Sequence, residues 1–408
     1  MDPKVKMNPV FRKLEGGLFS NVSKADVGGS YASLAENGVT LMGWADPFFP
    51  DPAIPEHVLK AALECLQTGF PAHYTMPIGN LDLRKELAVK LKKQNGIDAD
   101  PERNILVTPG SDAGLFYAMM PFLTPGDEVL VPSPGYPNSF LNPELLGGKT
   151  VRVPLRKEDG YQPDIREFRK RLTPKTRMVV LTHPNNPTTT VFRKERLLEI
   201  AHFVIENDLV LVVDQAFEDT VFDGVEYVNM ASLPGMRERT VSVFSISKGM
   251  GLSGFRVGYL VACDVWMDAY YGGCVNVLGA TNTMAQIAAI TALRNNGYMD
   301  EYKRIHDRRR KSVYEILNAV PGVRMAMPES GFYSWIDVSR LGDSTDIAAF
   351  LIRDAQVAVN DGKSYGEEGA GHLRIIHGSL SDESQAMDAI SRIANSLRTL
   401  IPKGVGTE

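Results

Sequence analysis

Between residues 100 and 265 six short apolar runs alternate with longer helix-like segments. They are NILVT at 104–108, EVLV at 128–131, MVVL at 178–181, LVLVV at 209–213, TVSVF at 240–244 and VGYLVA at 257–262. Nearly continuous apolar, β-branched runs carry no polar face for solvent, so each must be covered on both sides. Helices between strands supply that cover in a mostly parallel sheet, which places the chain in the α/β class. With 408 residues, 44% of them hydrophobic, there is material for two sizeable cores. The ends differ in character. Residues 1–50 are irregular and rich in Gly and Pro, whereas 299–319 and 382–400 read as charged helices flanking strand-like FYSWIDV (332–338) and HLRIIHG (372–378). The expected division is an N-terminal arm and part of a small domain over 1–50, a large domain over 51–296 and a C-terminal small domain over 297–408. The smaller unit is then α+β and is assembled from both termini.

Composition removes several functions. A net charge of -5, from 44 Lys+Arg against 49 Asp+Glu, gives no positive field to attract nucleic acid. The basic run at 308–311 is expected to be a solvated helix face. Cys65, Cys263 and Cys274 are widely spaced, which fits neither a disulfide framework nor a zinc site and suits a reducing compartment. The seven histidines form no ligand-spaced pair, so no metal is expected. The first residues scatter charges where a signal peptide needs an apolar core, and no run approaches a membrane span. A cytoplasmic location is the expectation.

The stretch FSISKGMGLSGFRVGY (244–259) contains the letters G-x-G-x-x-G of a dinucleotide loop. That loop needs a helix after its last glycine, whose N-terminus faces the pyrophosphate. Here only Phe255 and Arg256 separate Gly254 from the next strand, so no such helix fits. The glycines instead give room around Lys248.

Ligands of an open α/β sheet gather beyond the carboxyl ends of the strands. The first run leads to Pro109-Gly110-Ser111-Asp112 and a helix start, where free backbone N–H groups can hold a phosphate or where a side chain can simply cap. The second leads to Tyr136 between prolines, a ring able to stack on a flat heterocycle or to cover core. The third leads to Asn185-Asn186-Pro187-Thr188, in which Asn186 can donate to an anionic oxygen. The fourth ends on Asp214, a carboxylate closing an apolar strand, which is costly unless it meets a cation. The fifth brings Ser245, Ser247 and Lys248, with Arg256 close behind. A phosphate cup, a ring, an amide, a carboxylate and a lysine at one sheet edge together meet the needs of pyridoxal 5'-phosphate. A Ser247–Lys248 hydrolytic pair is disfavoured, because neighbours on a strand end are expected to face opposite ways.

On these residues, above all Ser245-x-Ser247-Lys248-x7-Arg256-x-Gly258, the chain resembles the class I/II aminotransferases of the fold type I pyridoxal-phosphate enzymes, aspartate aminotransferase-like. The likeness runs from about Gly43 to the C-terminus. It implies a large domain with a mostly parallel seven-stranded sheet, and a Lys248 that binds the cofactor as a Schiff base and then shuttles a proton. Asp214 would pair with the pyridine nitrogen, Tyr136 stack on the ring and Asn186 bond its phenolic oxygen. Ser111, Asp112, Ser245 and Arg256 would hold the phosphate. Tyr74, in HYTMPIGNLDLR, would reach the neighbouring subunit's site in a homodimer, and Arg374 would bind the substrate α-carboxylate. The activity implied is ping-pong transfer of an amino group between an L-amino acid and a 2-oxo acid.

Three departures from the family pattern stand out. Phe217 replaces a tyrosine whose hydroxyl would bond the phenolic oxygen, Thr189 replaces a glycine, and Ala45 takes the place of a glycine near the substrate. The first leaves open another reaction on the same cofactor, such as β-elimination or C–S cleavage, decarboxylation or racemisation. A ligand-sensing module of the kind fused to DNA-binding domains is a further alternative, for which no helix-turn-helix segment is seen. Ala45, Trp44, Phe19 and Tyr31 incline the expected substrate toward neutral or aromatic side chains.

Overall fold

A computed structural model describes Met7, Pro9–Arg12 and residues 29–401. Phe19 lies outside the described residues, as does the side chain of Tyr31.

Seven strands form one sheet: β1 (Ile105–Thr108), β2 (Glu128–Ser133), β3 (Lys149–Pro154), β4 (Thr176–Thr182), β5 (Val210–Asp214), β6 (Thr240–Ser245) and β7 (Gly258–Val261). Their order is β1-β7-β6-β5-β4-β2-β3. Only β7 opposes its neighbours; the other pairings are parallel. Along β4, Met178 and Val180 enter one core while Val179 and Leu181 enter the core on the opposite face. Both faces are therefore dry, as the unbroken apolar runs require. The strand without such a run is β3. As the edge strand left open to water, the opposite edge β1 being buried, it keeps Lys149, Thr150 and Arg152 among its valines. Strands β1, β2, β4, β5 and β6 all deliver their carboxyl ends to one edge.

A second core draws Met42 from ahead of this sheet and Val313, Leu317, Ile336, Leu351, Leu373 and Ile390 from after it. A three-stranded antiparallel sheet, Asn360–Asp361, His372–Ile375 and Ser334–Asp337, lies at its centre. Thr40–Leu41 pairs in parallel with Val357–Ala358, tying the early chain to this late layer.

The basic run at 308–311 is not a solvated face. It belongs to the helix Tyr298–Asn318, whose buried stripe is His306, Arg309, Arg310, Val313 and Leu317. Arg309 donates to the carbonyls of Ser379 and Leu380, both at 2.8 Å, and its Nε pairs with Glu383 at 3.2 Å. Arg310 donates to the Pro328 carbonyl at 2.9 Å and to Asp223 at 2.6 Å. The fork of donors satisfies buried carbonyls that a lysine could reach only singly. Only Arg308 and Lys311 meet solvent. Among the described residues no helix is long and apolar enough to cross a membrane, and no group of three potential metal ligands occurs.

Candidate active site

At the end of β1 the chain turns through Gly110 (φ +85°) into the helix Ser111–Met119. A Cβ on Gly110 would lie 2.2 Å from Arg256 Nη2, and one on Gly258 would lie 2.6 Å from the Ser111 nitrogen. Glycine at both points lets the Arg256 guanidinium cross the helix start at close range. With Gly110 as the N-cap no side chain caps the first turn, so its N–H groups stay available to an anion.

Tyr136 follows β2 and caps the helix Pro137–Leu145. Its hydroxyl donates to Asp112 Oδ1 at 2.8 Å, and Asn138 Nδ2 donates to the same oxygen at 2.9 Å. Burial and the Asp112 carboxylate hold the Tyr136 phenol well above its ordinary range. After β4, Asn186 Oδ1 accepts from Arg374 Nη1 at 3.0 Å. That contact fixes the amide so that its NH2 is the end left for a partner. Arg374 also donates to the Gly43 carbonyl at 2.9 Å and to Asn360 Oδ1 through Nε (3.1 Å) and Nη2 (2.7 Å). Its guanidinium lies over the Tyr365 ring at 4.9 Å.

Asp214 is buried at the tip of β5 and accepts from the Ala216 N–H at 3.1 Å. Burial pushes its carboxyl up to about 7. The Ala216 N–H pulls it back down, Asp112 adds to the rise, and Lys248 opposes it. Lys248 stands past the end of β6 and donates to the Ala45 carbonyl. Burial lowers its amine, against the pull of Asp112 and Asp46, while Arg374 and Arg256 lower it further. Phe217 packs edge-on against Tyr333 at 4.9 Å and Phe332 at 5.8 Å.

These residues converge on one cavity of about 390 Å3, whose wall includes Ala45, Ser111, Asp112, Tyr136, Asn186, Asp214, Phe217, Lys248, Arg256 and Arg374. Ser245 is not in that wall; its hydroxyl accepts from the Ser247 N–H at 3.0 Å and shapes the turn. Tyr74 is 96% exposed and stands apart from this chain's cavity. Ser247 and Lys248 both line the cavity, contrary to the expectation of opposite faces, because β6 stops at Ser245 and strand alternation no longer applies. Thr189 stands at φ +64°, a left-handed conformation that a β-branched residue adopts under strain. Gly43, Asp46, Ser253 and Gly254 also line the cavity and were not singled out as binding residues in the sequence. For Gly43 a signal was present, since it stands two residues before Ala45.

A family model described as aminotransferase class I and II matches residues 40–393. The chain belongs to this family. It is 35% identical over 361 residues to aromatic-amino-acid aminotransferase 2 of Thermococcus litoralis, covering 87% of this chain and 92% of that protein. It is 34% identical over 356 residues to an aspartate aminotransferase of Pyrococcus abyssi, covering 84% of this chain and 89% of the relative. The crystal structure of an aromatic aminotransferase from Pyrococcus horikoshii OT3 matches the fold with a TM-score of 0.84 and 33% identity, over 91% of this chain and 100% of that one. The protein is an aminotransferase of fold type I, a family that uses pyridoxal phosphate. The relatives support transamination over the alternative reactions on the same cofactor.

Proposed function

We propose that the aminotransferase binds pyridoxal 5'-phosphate in the 390 Å3 cavity and transfers an amino group between an L-amino acid and a 2-oxo acid. The observation that carries this reading is that Lys248, its amine lowered by burial, shares one cavity with a buried Asp214 raised to about 7. Neither charge is well served by the protein alone. A ring nitrogen would give Asp214 its missing proton partner, and an aldehyde would consume the Lys248 amine. The Ser111–Asp112 helix start and Arg256 fit a phosphate, the Tyr136 ring a flat face, and the Asn186 NH2 a phenolic oxygen. When bound, the cofactor supplies an electron sink that acidifies the substrate Cα–H.

The chain's own residues then have defined work. Arg374 orients the amino acid through its α-carboxylate, with Asn360 and Gly43 fixing the plane of the guanidinium. With the cofactor bound, Lys248 Nζ would be the base that takes the proton from the substrate Cα and holds it for return. Borohydride reduction of the holoenzyme followed by peptide mass spectrometry tests the assignment; a pyridoxyl group on Lys248 is expected, and an unlabelled Lys248 overturns it.

We further propose a homodimer. Leu59, Leu63 and Leu66 form an exposed stripe on the helix Glu56–Gln67, continued by Phe70, Tyr74 and Met76. A second copy covering that ridge would place Tyr74 near its own cavity, as the family resemblance implies. The proposed domain division is an N-terminal arm and part of the small domain over 1–50, the large domain over 51–296 and the rest of the small domain over 297–408. Cys65, Cys263 and Cys274 form no disulfide with one another, which suits a cytoplasmic setting.

A further inference from the structure

Tyr74 is 96% exposed, yet the backbone on either side of it is held by a buried group. That group is Thr283, 4% exposed at the start of the helix Thr283–Arg294. Its hydroxyl donates to the His73 carbonyl at 3.3 Å, and the Thr75 hydroxyl lies 2.5 Å from the same oxygen. Thr283 has one hydroxyl proton and gives it to His73, so Thr75 is the donor in the second contact. A single buried hydroxyl therefore grips the residues immediately before and after Tyr74.

The far end of the segment is fastened too. The Val107 N–H of β1 donates to the Ile78 carbonyl at 3.1 Å, and Gly79 stands at φ +103° against the Val107 side chain, where a Cβ would come within 2.3 Å of Cγ2. Gln286, fully buried one turn beyond Thr283, accepts from the Asn80 N–H at 2.7 Å and donates to the Thr281 carbonyl at 2.8 Å. Ordering a backbone costs conformational entropy, and a ring left almost wholly in water offsets none of that cost within its own chain. The ordering has a use where a second copy receives the ring, because a side chain aimed beforehand loses less freedom on docking and keeps its geometry.

We infer that Thr283 is a positioning residue that acts across the subunit boundary, fixing the direction in which Tyr74 enters the neighbouring copy's site. This rests on the proposed homodimer and adds to it the residue that aims the shared tyrosine. A route within the same chain is the competing explanation. Thr281, Asn282 and Met284 line a cavity of about 710 Å3 that shares Ser253, Gly254 and Arg256 with the wall of the first, so the start of this helix also lies near its own chain's phosphate residues. Thr283 itself stands in neither wall, and its hydroxyl is spent on His73 and Thr75.

Thr283→Val keeps the branched shape and removes the hydroxyl. Titration of the cofactor-free protein with pyridoxal 5'-phosphate, followed by visible absorbance, should show affinity weakened about tenfold, the scale of one lost hydrogen bond. Thr283→Ser should restore it, and in a Tyr74→Phe background Thr283→Val should change affinity by no more than about twofold. Thr75→Val, which removes the other contact, is the second variant should Thr283→Val fold poorly, and the same loss and the same dependence on Tyr74 are expected. Hybrid dimers with one Lys248→Ala subunit separate the two routes, because each keeps a single Lys248. With Thr283→Val on the Lys248→Ala subunit, the surviving site takes its Tyr74 from the altered chain and should bind about tenfold more weakly than a hybrid with Thr283 intact. With Thr283→Val on the subunit that keeps Lys248, that site takes Tyr74 from an unaltered chain and should bind like the intact hybrid. Parent affinity in both Thr283→Val and Thr75→Val, a loss that persists in the Tyr74→Phe background, or weakening only in the second hybrid overturns the inference and leaves the homodimer standing. A protein that sediments as a monomer, or a Tyr74→Phe dimer with parent affinity, overturns the shared-tyrosine reading and this inference with it.

Discussion

Asp214→Asn should make the cofactor-free enzyme more stable and the loaded enzyme nearly inactive. The Asp214 carboxyl moves from an ordinary 3.8 in the denatured chain to about 7 when buried in the fold. The folded state therefore holds a proton across a pH range in which the denatured state has released it. Stability falls as pH rises from 3.8, and the loss is complete once pH passes about 7. At 1.36 kcal/mol per pH unit this interval amounts to about 4 kcal/mol. The amide of Asn is isosteric and uncharged, so it escapes that loss. Denaturant unfolding of cofactor-free parent and variant at fixed protein concentration should show a stability difference that is small near pH 4, grows through pH 5 and 6, and levels off near 4 kcal/mol above pH 7. Cofactor binding should reverse the ranking, because only the carboxylate can hold a protonated ring nitrogen, and activity of the loaded variant should fall about 10²-fold or more. A variant no more stable than the parent at pH 8, or a difference that does not vary with pH, would refute the reasoning.

Arg374→Lys keeps the positive charge and loses the planar fork, so kcat/KM should fall about 10²-fold across all amino acids, with a raised KM; an unchanged KM would remove Arg374 from substrate binding. Phe217→Tyr restores a hydroxyl at the cavity wall. The pH midpoint of the bound cofactor's visible absorbance should fall, and coincident titrations of parent and variant would count against a role for this position. Arg310→Met leaves the Pro328 carbonyl and Asp223 without their donor and should destabilise by about 2–3 kcal/mol in denaturant unfolding, well beyond a surface substitution. Thr189→Gly releases a strained left-handed backbone and should stabilise by about 1 kcal/mol, read as a raised Tm.

The central sheet was legible because burial on both faces leaves a one-dimensional trace, the unbroken apolar run; Met178 to Leu181 is such a run, and its side chains go alternately to two dry cores. Strand β3 was not legible for the converse reason, since an edge strand in water carries Lys149 and Arg152 and looks like loop. Arg309 and Arg310 misled the reading of charge, because helix periodicity alone shows that positions 306, 309, 310 and 313 share a face, while their partners are backbone carbonyls more than fifteen residues away. Most of the cavity's main residues could be named in advance because they end a recognisable strand, follow one by up to four residues or stand just before one, while Arg374 lies within the strand-like HLRIIHG. Asn360 could not, since its role comes from the Arg374 guanidinium packed beside it.

The same desolvation acts on the two key groups in opposite senses, and the chemistry follows from that. Removal from water raises the Asp214 carboxyl and lowers the Lys248 amine, so each is moved toward its neutral form. A neutral amine is the form able to attack a carbonyl, and a carboxyl near 7 is only partly charged at neutral pH until a proton-bearing partner draws it fully into the ionised form. Had the two been close enough to form an ion pair, each would have satisfied the other and the site would hold two fixed charges instead of two reactive groups. The sheet prevents this by delivering Lys248 to the Ala45 carbonyl and Asp214 to the Ala216 N–H. A single molecule carrying an aldehyde and a basic ring nitrogen would meet both needs at once, which is why the proposed cofactor suits two groups that the fold leaves without each other.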